Sequence, residues 1–223
     1  MINIPIQSKY FFKYIILDNF LSDNEIQYLN RLDISKVPSN GILNCYQARI
    51  FKDKNIKPKA VGDNLINIEN IISIHKKYEN LFSSILLKMC PAKSKLIEFM
   101  EYTLSITGKD CIYPIHDDAP YKLLSTVIYL KPENNIGTLI YPCPKYPLFD
   151  GKILSPSEGF CIKWKQNRSL IFSRIHQKTW HSFQGDGKSN RLAFVINVGT
   201  DKVKEVMDIE NSKEFRESIT WTN

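Results

Sequence analysis

The chain has no C-x-x-C pair, no long apolar run, no low-complexity tract and no internal repeat. Each absence removes a class of answer. The five cysteines (Cys45, Cys90, Cys111, Cys143, Cys161) are odd in number and widely spaced. That argues against a zinc site, and a chain of 223 residues needs no disulfide framework to hold a core. The thiols read as reduced, so the expected compartment is cytoplasmic. The apolar run from Tyr10 to Leu17 is interrupted by Lys13 and is too short to span a bilayer. The opening residues do not show the charged-then-apolar pattern of a secretory leader, and no membrane partner is expected. The formal charge is +7, yet no basic arm stands out. The densest lysine cluster, Lys52, Lys54, Lys57 and Lys59, reads as a solvated face, which argues against nucleic acid as a partner.

What is present is ordinary globular composition. Hydrophobic residues make up 43% and charged residues 24%, which excludes a disordered chain. Aromatics at 12% suit a β-rich core. The length predicts a single domain over residues 1–223, with helical support to about residue 92, a β core from about 93 to 200, and a charged tail over 201–223.

Along the chain, Phe11–Leu17 reads as a strand. Ser22 and Glu25 form a capping-box pattern that should open a helix running from Asp23 to about Leu32. Ile42–Phe51 carries β-formers, and the polar stretch Lys52–Ala60, with Pro58, reads as a loop. Asp63 is the expected N-cap of a long helix to Met89, with Ile68, Ile71, Ile72, Tyr78, Phe82, Ile85, Leu86 and Met89 at three- and four-residue steps. That stripe should pack on an outer face of a sheet, with His75 at its edge. Pro91 closes the helix.

From Lys95 onward the period changes to two. Strands are expected at Leu96–Thr107, Ile115–Asp118, Leu123–Leu130, Gly137–Tyr141, Phe160–Trp164, Ser169–Ser173, Thr179–Phe183 and Arg191–Val198. Many short strands at this spacing predict an α+β, mainly β protein built as a sandwich or jelly roll with N-terminal supporting helices. Pro142–Pro156 is a long excursion between strands, of the kind used for binding. A short helix is expected around Lys202–Asp208.

The chemistry concentrates in four residues. In an extended stretch, His116 and Asp118 point to one face and Asp117 to the other. One imidazole and one carboxylate are two thirds of the 2-His-1-carboxylate triad used for non-haem Fe(II). His181 supplies a second imidazole far downstream, in preference to His176, which stands in a polar stretch. Arg191 follows His181 by ten positions, after a Gly-Asp-Gly turn. A hairpin would set these two strands side by side and aim Arg191 into the same cavity. A buried arginine is costly without an anion, and its neighbours Ala193 and Val195 offer none, so a ligand carboxylate is the expected partner. Tyr113 precedes His116 by three, but Pro114 leaves its direction undecided.

The order H-x-D, distal His, then Arg ten positions on resembles the Fe(II)- and 2-oxoglutarate-dependent oxygenases. So do the Lys122–Leu130 strand ending in Tyr-Leu, and the Gly137-Thr138-Leu139 step, where Ile136 replaces a glycine. Asn167–Phe172 resembles the segment leading to the distal histidine, and Ile16–Ser22 the opening of the prolyl-hydroxylase-like branch. The strong part spans about residues 95–200. The resemblance implies a double-stranded β-helix (a jelly roll, cupin-like). It implies Fe(II) on His116, Asp118 and His181, with 2-oxoglutarate and O2 as co-substrates. It also implies that Arg191 binds the distal carboxylate of 2-oxoglutarate, helped by Tyr129. A carboxylate at position 118 goes with hydroxylation rather than halogenation. The expected function is therefore hydroxylation of a C–H bond in a peptide, a protein side chain or a small molecule, with release of succinate and CO2. A non-catalytic β-helix binding module is the alternative. Nucleic-acid demethylation is a minor one, lowered because Asn197 stands where that branch carries a second arginine.

Overall fold

The computed structural model describes residues 12–59, 67–142 and 159–218. The elements, in chain order, begin with β1 (Tyr14–Leu17), α1 (Asp23–Leu29), β2 (Ile42–Phe51), β3 (Ile56–Lys59), α2 (Ile68–Met89) and α3 (Pro91–Ser94). The strands β4 (Phe99–Thr107), β5 (Ile112–His116), β6 (Lys122–Lys131) and β7 (Thr138–Ile140) follow. Then come β8 (Phe160–Ile162), β9 (Ser169–Phe172), β10 (His181–Gln184), β11 (Arg191–Gly199), α4 (Val203–Asn211) and α5 (Lys213–Ser218). The strands form two antiparallel sheets. The larger has the order β1-β9-β6-β11-β4-β2-β3, and the smaller β5-β10-β7-β8.

Strict alternation along the central strands of the large sheet explains how it serves two environments at once. Met100, Tyr102, Leu104 and Ile106 of β4, Leu124, Ile128 and Leu130 of β6, and Leu192, Phe194, Ile196 and Val198 of β11 join the main apolar core. The same core contains Ile71, Ile74, Tyr78, Phe82, Ile85 and Leu86 of α2, so the long helix covers this face. At about 1.5–3 kcal/mol for each large apolar side chain removed from water, this contact supplies much of the sheet's support. The residues in between, Glu101, Thr103, Ser105 and Thr107 on β4 and Arg191, Ala193, Val195 and Asn197 on β11, face a cavity on the other side.

Several boundaries differ from the sequence reading. The capping box is present, and the Ser22 amide donates to Glu25 Oε2 at 2.7 Å, but α1 stops at Leu29. Leu32 is nevertheless buried. Lys52–Ala60 is not simply a loop, because β3 pairs with the far half of β2, Ile50 against Ile56 and Arg49 against Lys57. Pro58 is tolerated there because β3 is an edge strand and needs no donor on its outer side. The described part of α2 begins at Ile68, where Asn67 Oδ1 accepts from the Glu69 amide at 2.9 Å; Asp63 lies outside the described residues. Pro91 ends α2 but then opens the short α3, where a missing N–H costs nothing. The C-terminal tail forms two helices rather than one. Pro142–Pro156 falls almost wholly outside the described residues, as does Cys143, while Cys45, Cys90, Cys111 and Cys161 are free thiols. No described helix is long and apolar enough to cross a membrane.

Candidate metal and carboxylate-binding site

His116 ends β5 and His181 opens β10, and the two are direct cross-strand partners in the small sheet. Their rings stand 4.2 Å apart between centroids. Each ring is oriented by a backbone carbonyl: Nδ1 of His116 lies 3.0 Å from the Pro114 oxygen, and Nδ1 of His181 lies 2.9 Å from the Thr179 oxygen. A carbonyl only accepts, so each Nδ1 carries a hydrogen, and Nε2 is the ring nitrogen left for the cavity. Burial and the neighbouring His181 push the His116 pKa down to about 4, which keeps that ring neutral in ordinary buffers.

Asp118 completes the group. The ligand atoms of His116, Asp118 and His181 all lie within 4.8 Å of one another, and Asp118 Oδ2 is 4.0 Å from His181 Nε2. The predicted strand Ile115–Asp118 does not extend that far, since β5 stops at His116. Strand parity therefore does not place this carboxylate. Specific bonds do: Lys122 Nζ donates to Oδ1 at 2.5 Å, Ser125 Oγ donates to Oδ2 at 2.5 Å, and Arg174 Nε donates to the Asp118 carbonyl at 2.9 Å. Burial alone would raise the Asp118 pKa, but His181, Lys122 and Ser125 outweigh it and hold the carboxyl well below the usual range. Arg174 is itself fixed by Glu210 of α4 at 2.7 Å, and Glu210 also pairs with the fully buried Lys93. The two rivals bind each other instead. His176 Nδ1 lies 3.1 Å from Asp117 Oδ2, the Gln177 amide donates to the same oxygen at 2.9 Å, and His176 belongs to no metal-capable group among the described residues.

Arg191 enters the cavity by a different route from the one expected. β10 and β11 are not a paired hairpin; they belong to opposite sheets. The turn between them crosses from one sheet to the other, so His181 and Arg191 face each other across the cavity rather than along one ladder. Arg191 is 4% exposed, and among the described residues no carboxylate lies within ion-pair distance of it. Nη1 donates to the Ile136 carbonyl at 3.2 Å, the guanidinium sits 3.8 Å over the Phe183 ring, and Nε has no partner among the described residues. Burial pushes its pKa down to about 10. The Ile136 carbonyl is held near it by Gly137, where a Cβ would meet the Ile162 oxygen at 1.7 Å. Only glycine allows β7 and β8 to approach so closely.

Tyr129 lies near Arg191 but is fully buried, and its hydroxyl is engaged twice by Thr138: it donates to Oγ1 at 2.9 Å and accepts from the amide at 3.0 Å. Its ring stacks on Trp164 at 4.5 Å. Tyr113, undecided from the sequence, lines the cavity and stacks on Phe183 at 5.1 Å.

The cavity has a volume of about 610 Å³. Its lining brings together Arg191, Thr138 and Phe183, the triad, and the polar side chains of Asn44, Gln47, Thr103, Glu101 and Asn197. Those last two form one rung across the sheet: Arg49 pairs Glu101, Glu101 pairs Asn197, and Asn197 pairs Ser125. Arg49 Nε donates to Glu101 at 2.8 Å and Asn197 Nδ2 at 3.3 Å, while Asn197 Oδ1 is buried without a partner. Lys122, Ser125 and Arg174 escaped the sequence reading. Ser125 was within reach, since it shares strand parity with Val127 and Tyr129, but the contacts of Lys122 and Arg174 depend on loop geometry.

The donor set fits a divalent ion of the Fe(II) class: two imidazoles and one ionised carboxylate on one side, with open space on the other. No protein-family model matches the sequence, and no curated protein matches it either. Solved structures do match. A prolyl hydroxylase from Trichoplax adhaerens, in complex with a hypoxia inducible factor oxygen degradation domain peptide fragment, aligns at 18% identity over 86% of this chain and 85% of its own, with a TM-score of 0.56. A 2OG-Fe(II) oxygenase family oxidoreductase from Burkholderia pseudomallei aligns at 16% identity over 85% and 87%, with a TM-score of 0.51. The viral collagen prolyl hydroxylase of Paramecium Bursaria Chlorella virus-1, as a 2OG complex, aligns at 18% identity over 86% and 97%, with a TM-score of 0.50. The chain therefore has the fold of the prolyl-hydroxylase-like 2-oxoglutarate oxygenases. At these identities the likeness carries the fold, and the chemistry rests on the residues themselves.

Proposed function

We propose that the protein is an Fe(II)- and 2-oxoglutarate-dependent dioxygenase of the prolyl-hydroxylase-like branch, a single oxygenase domain built as a double-stranded β-helix. It hydroxylates a C–H bond of a peptide or protein side chain, or of a small molecule, with release of succinate and CO2. The observation that carries this reading is the pairing, in one cavity, of the triad with a buried guanidinium that has no anion partner among the described residues. A purely binding β-helix module needs neither two imidazoles held in one tautomer nor that guanidinium.

His116, Asp118 and His181 hold the iron, which when bound couples O2 reduction and oxidative decarboxylation of 2-oxoglutarate to hydroxylation of the substrate. Arg191 takes the distal carboxylate of 2-oxoglutarate as a charge-assisted pair, since an anion there relieves the cost of its burial. Tyr129 serves the same end with its hydroxyl, and to reach a ligand oxygen it would exchange its bond to Thr138 Oγ1. Phe183, Val127 and Ala193 give the cavity an apolar lining, which strengthens the pair by excluding water. The polar lining, with Asn44, Gln47 and Asn197, receives the substrate. A peptide substrate is supported by the peptide complex of the Trichoplax adhaerens relative.

The test is conversion of 2-oxoglutarate to succinate by purified protein with Fe(II) and ascorbate, scored against His181→Ala. Slow uncoupled conversion in the wild type and none in the variant is expected. Equal conversion by the two proteins, or none by folded, iron-loaded wild type, would refute the assignment.

A further inference from the structure

The ion pair on the triad carboxylate points to a residue that governs how the metal is held. Asp118 presents its two oxygens differently. Oδ2 lies on the side of His181, at 4.0 Å from its Nε2, and accepts from Ser125. Oδ1 is capped by the Lys122 ammonium at 2.5 Å. The lysine is well placed to stay there. Its amide donates to the Ala119 carbonyl at 3.0 Å, closing the turn that leads out of the triad loop, and its side chain is 19% exposed and lines the cavity. Burial works against the ammonium, but Asp118 more than offsets this and raises the lysine's pKa.

Oδ1 carries a cation and is the poorer of the two oxygens for a metal, whereas Oδ2 carries only a neutral hydroxyl. An ammonium beside a dication also repels it, and more strongly in a half-buried site than in water. We propose that Lys122 is a positioning residue of the metal centre: it restricts Asp118 to one-oxygen ligation through Oδ2 and weakens the hold of the triad on the ion. The consequence would be a metal that exchanges readily. The inference rests on the metal-centre reading above and goes beyond it.

The test uses Mn(II) alone, with titration calorimetry and crystal structures of the wild type, Lys122→Met and Lys122→Arg. Lys122→Met should bind Mn(II) about tenfold or more tightly, because the competing charge is gone. Asp118 should then contact the ion through both oxygens, and Lys122→Arg should restore weak, one-oxygen binding. Thermal melts separate this from a purely structural ion pair. The Mn(II)-dependent rise in Tm should be larger in Lys122→Met than in the wild type, whereas a structural pair would lower Tm equally with and without metal. If Lys122→Met folds poorly without metal, Lys122→Gln carries the same comparison. Unchanged or weaker Mn(II) binding in the neutral variants, or one-oxygen ligation retained in them, would overturn the inference alone. A folded wild type that binds no Mn(II) at these residues would overturn the metal-centre reading and this inference together.

Discussion

Replacing Arg191 by methionine should move stability and ligand affinity in opposite directions. The guanidinium is 4% exposed and has no carboxylate partner among the described residues. Burial pulls its pKa below the ordinary arginine range, to about 10. At about 1.4 kcal/mol for each pH unit, holding that charge in the cavity costs about 3 kcal/mol. The Phe183 ring at 3.8 Å returns part of this, roughly 1–2 kcal/mol for a desolvated cation–π contact. Arg191→Met is similar in length and brings no charge. It should therefore stabilise the unliganded protein by about 1–2 kcal/mol, which at this chain length is a rise in Tm of about 2–8 °C. The same substitution removes the partner of the 2-oxoglutarate carboxylate. Breaking a buried charge pair costs about 3–5 kcal/mol, so affinity for 2-oxoglutarate should fall roughly a hundredfold to a few thousandfold. Thermal melts with and without 2-oxoglutarate, beside calorimetric titration of 2-oxoglutarate into Mn(II)-loaded protein, read both effects. A variant that melts well below the wild type yet binds 2-oxoglutarate normally would refute the reasoning, since the guanidinium would then be a structural part.

Three further outcomes are expected. His181→Ala and Asp118→Asn should abolish Mn(II) binding by calorimetry, whereas His176→Ala and Asp117→Asn should keep it within a few fold, because those two residues bind each other outside the triad. Gly137→Ala should destabilise the fold by roughly 3 kcal/mol in urea unfolding, since its Cβ would meet the Ile162 oxygen at 1.7 Å and part β7 from β8; a loss under about 1 kcal/mol would contradict the close approach. Asp18, tied to Arg168 at 2.6 Å and Lys165 at 2.8 Å, has its pKa lowered to about 2, chiefly by the Arg168 bond. A depressed carboxylate stabilises the fold in full above its unfolded pKa near 3.8 and loses that contribution as pH falls toward 2. Asp18→Asn should therefore be less stable than wild type at pH 7, by no more than ~1 kcal/mol for so exposed a pair, with the two converging near pH 2; a difference that persists at pH 2 would contradict this.

What could be read from the sequence follows from where the information is local. The α2 stripe is a repeated signal and places the helix on the core as expected, and the strands β4, β6 and β11 fall close to their expected bounds. His116, Asp118, His181 and Arg191 line one cavity, but not for the reasons of strand parity and hairpin pairing that the sequence suggests. Asp118 stands beyond its strand and is aimed by Lys122, Ser125 and Arg174, and Arg191 reaches the cavity from the opposite sheet rather than through a hairpin. Contacts between residues far apart in the chain, such as Glu210 with Lys93 and Arg174, leave no periodic trace. The edge strand β3 was hidden by its polar, proline-bearing sequence, which marks a loop and an exposed edge alike.

The most direct test of the central claim is an anaerobic titration of the protein with Fe(II) in the presence of 2-oxoglutarate, followed in the visible. The expected result is a weak metal-to-ligand charge-transfer band that saturates at one equivalent of iron and is absent in His181→Ala. Folded wild type that gives no band, or a band unchanged in His181→Ala, would contradict it.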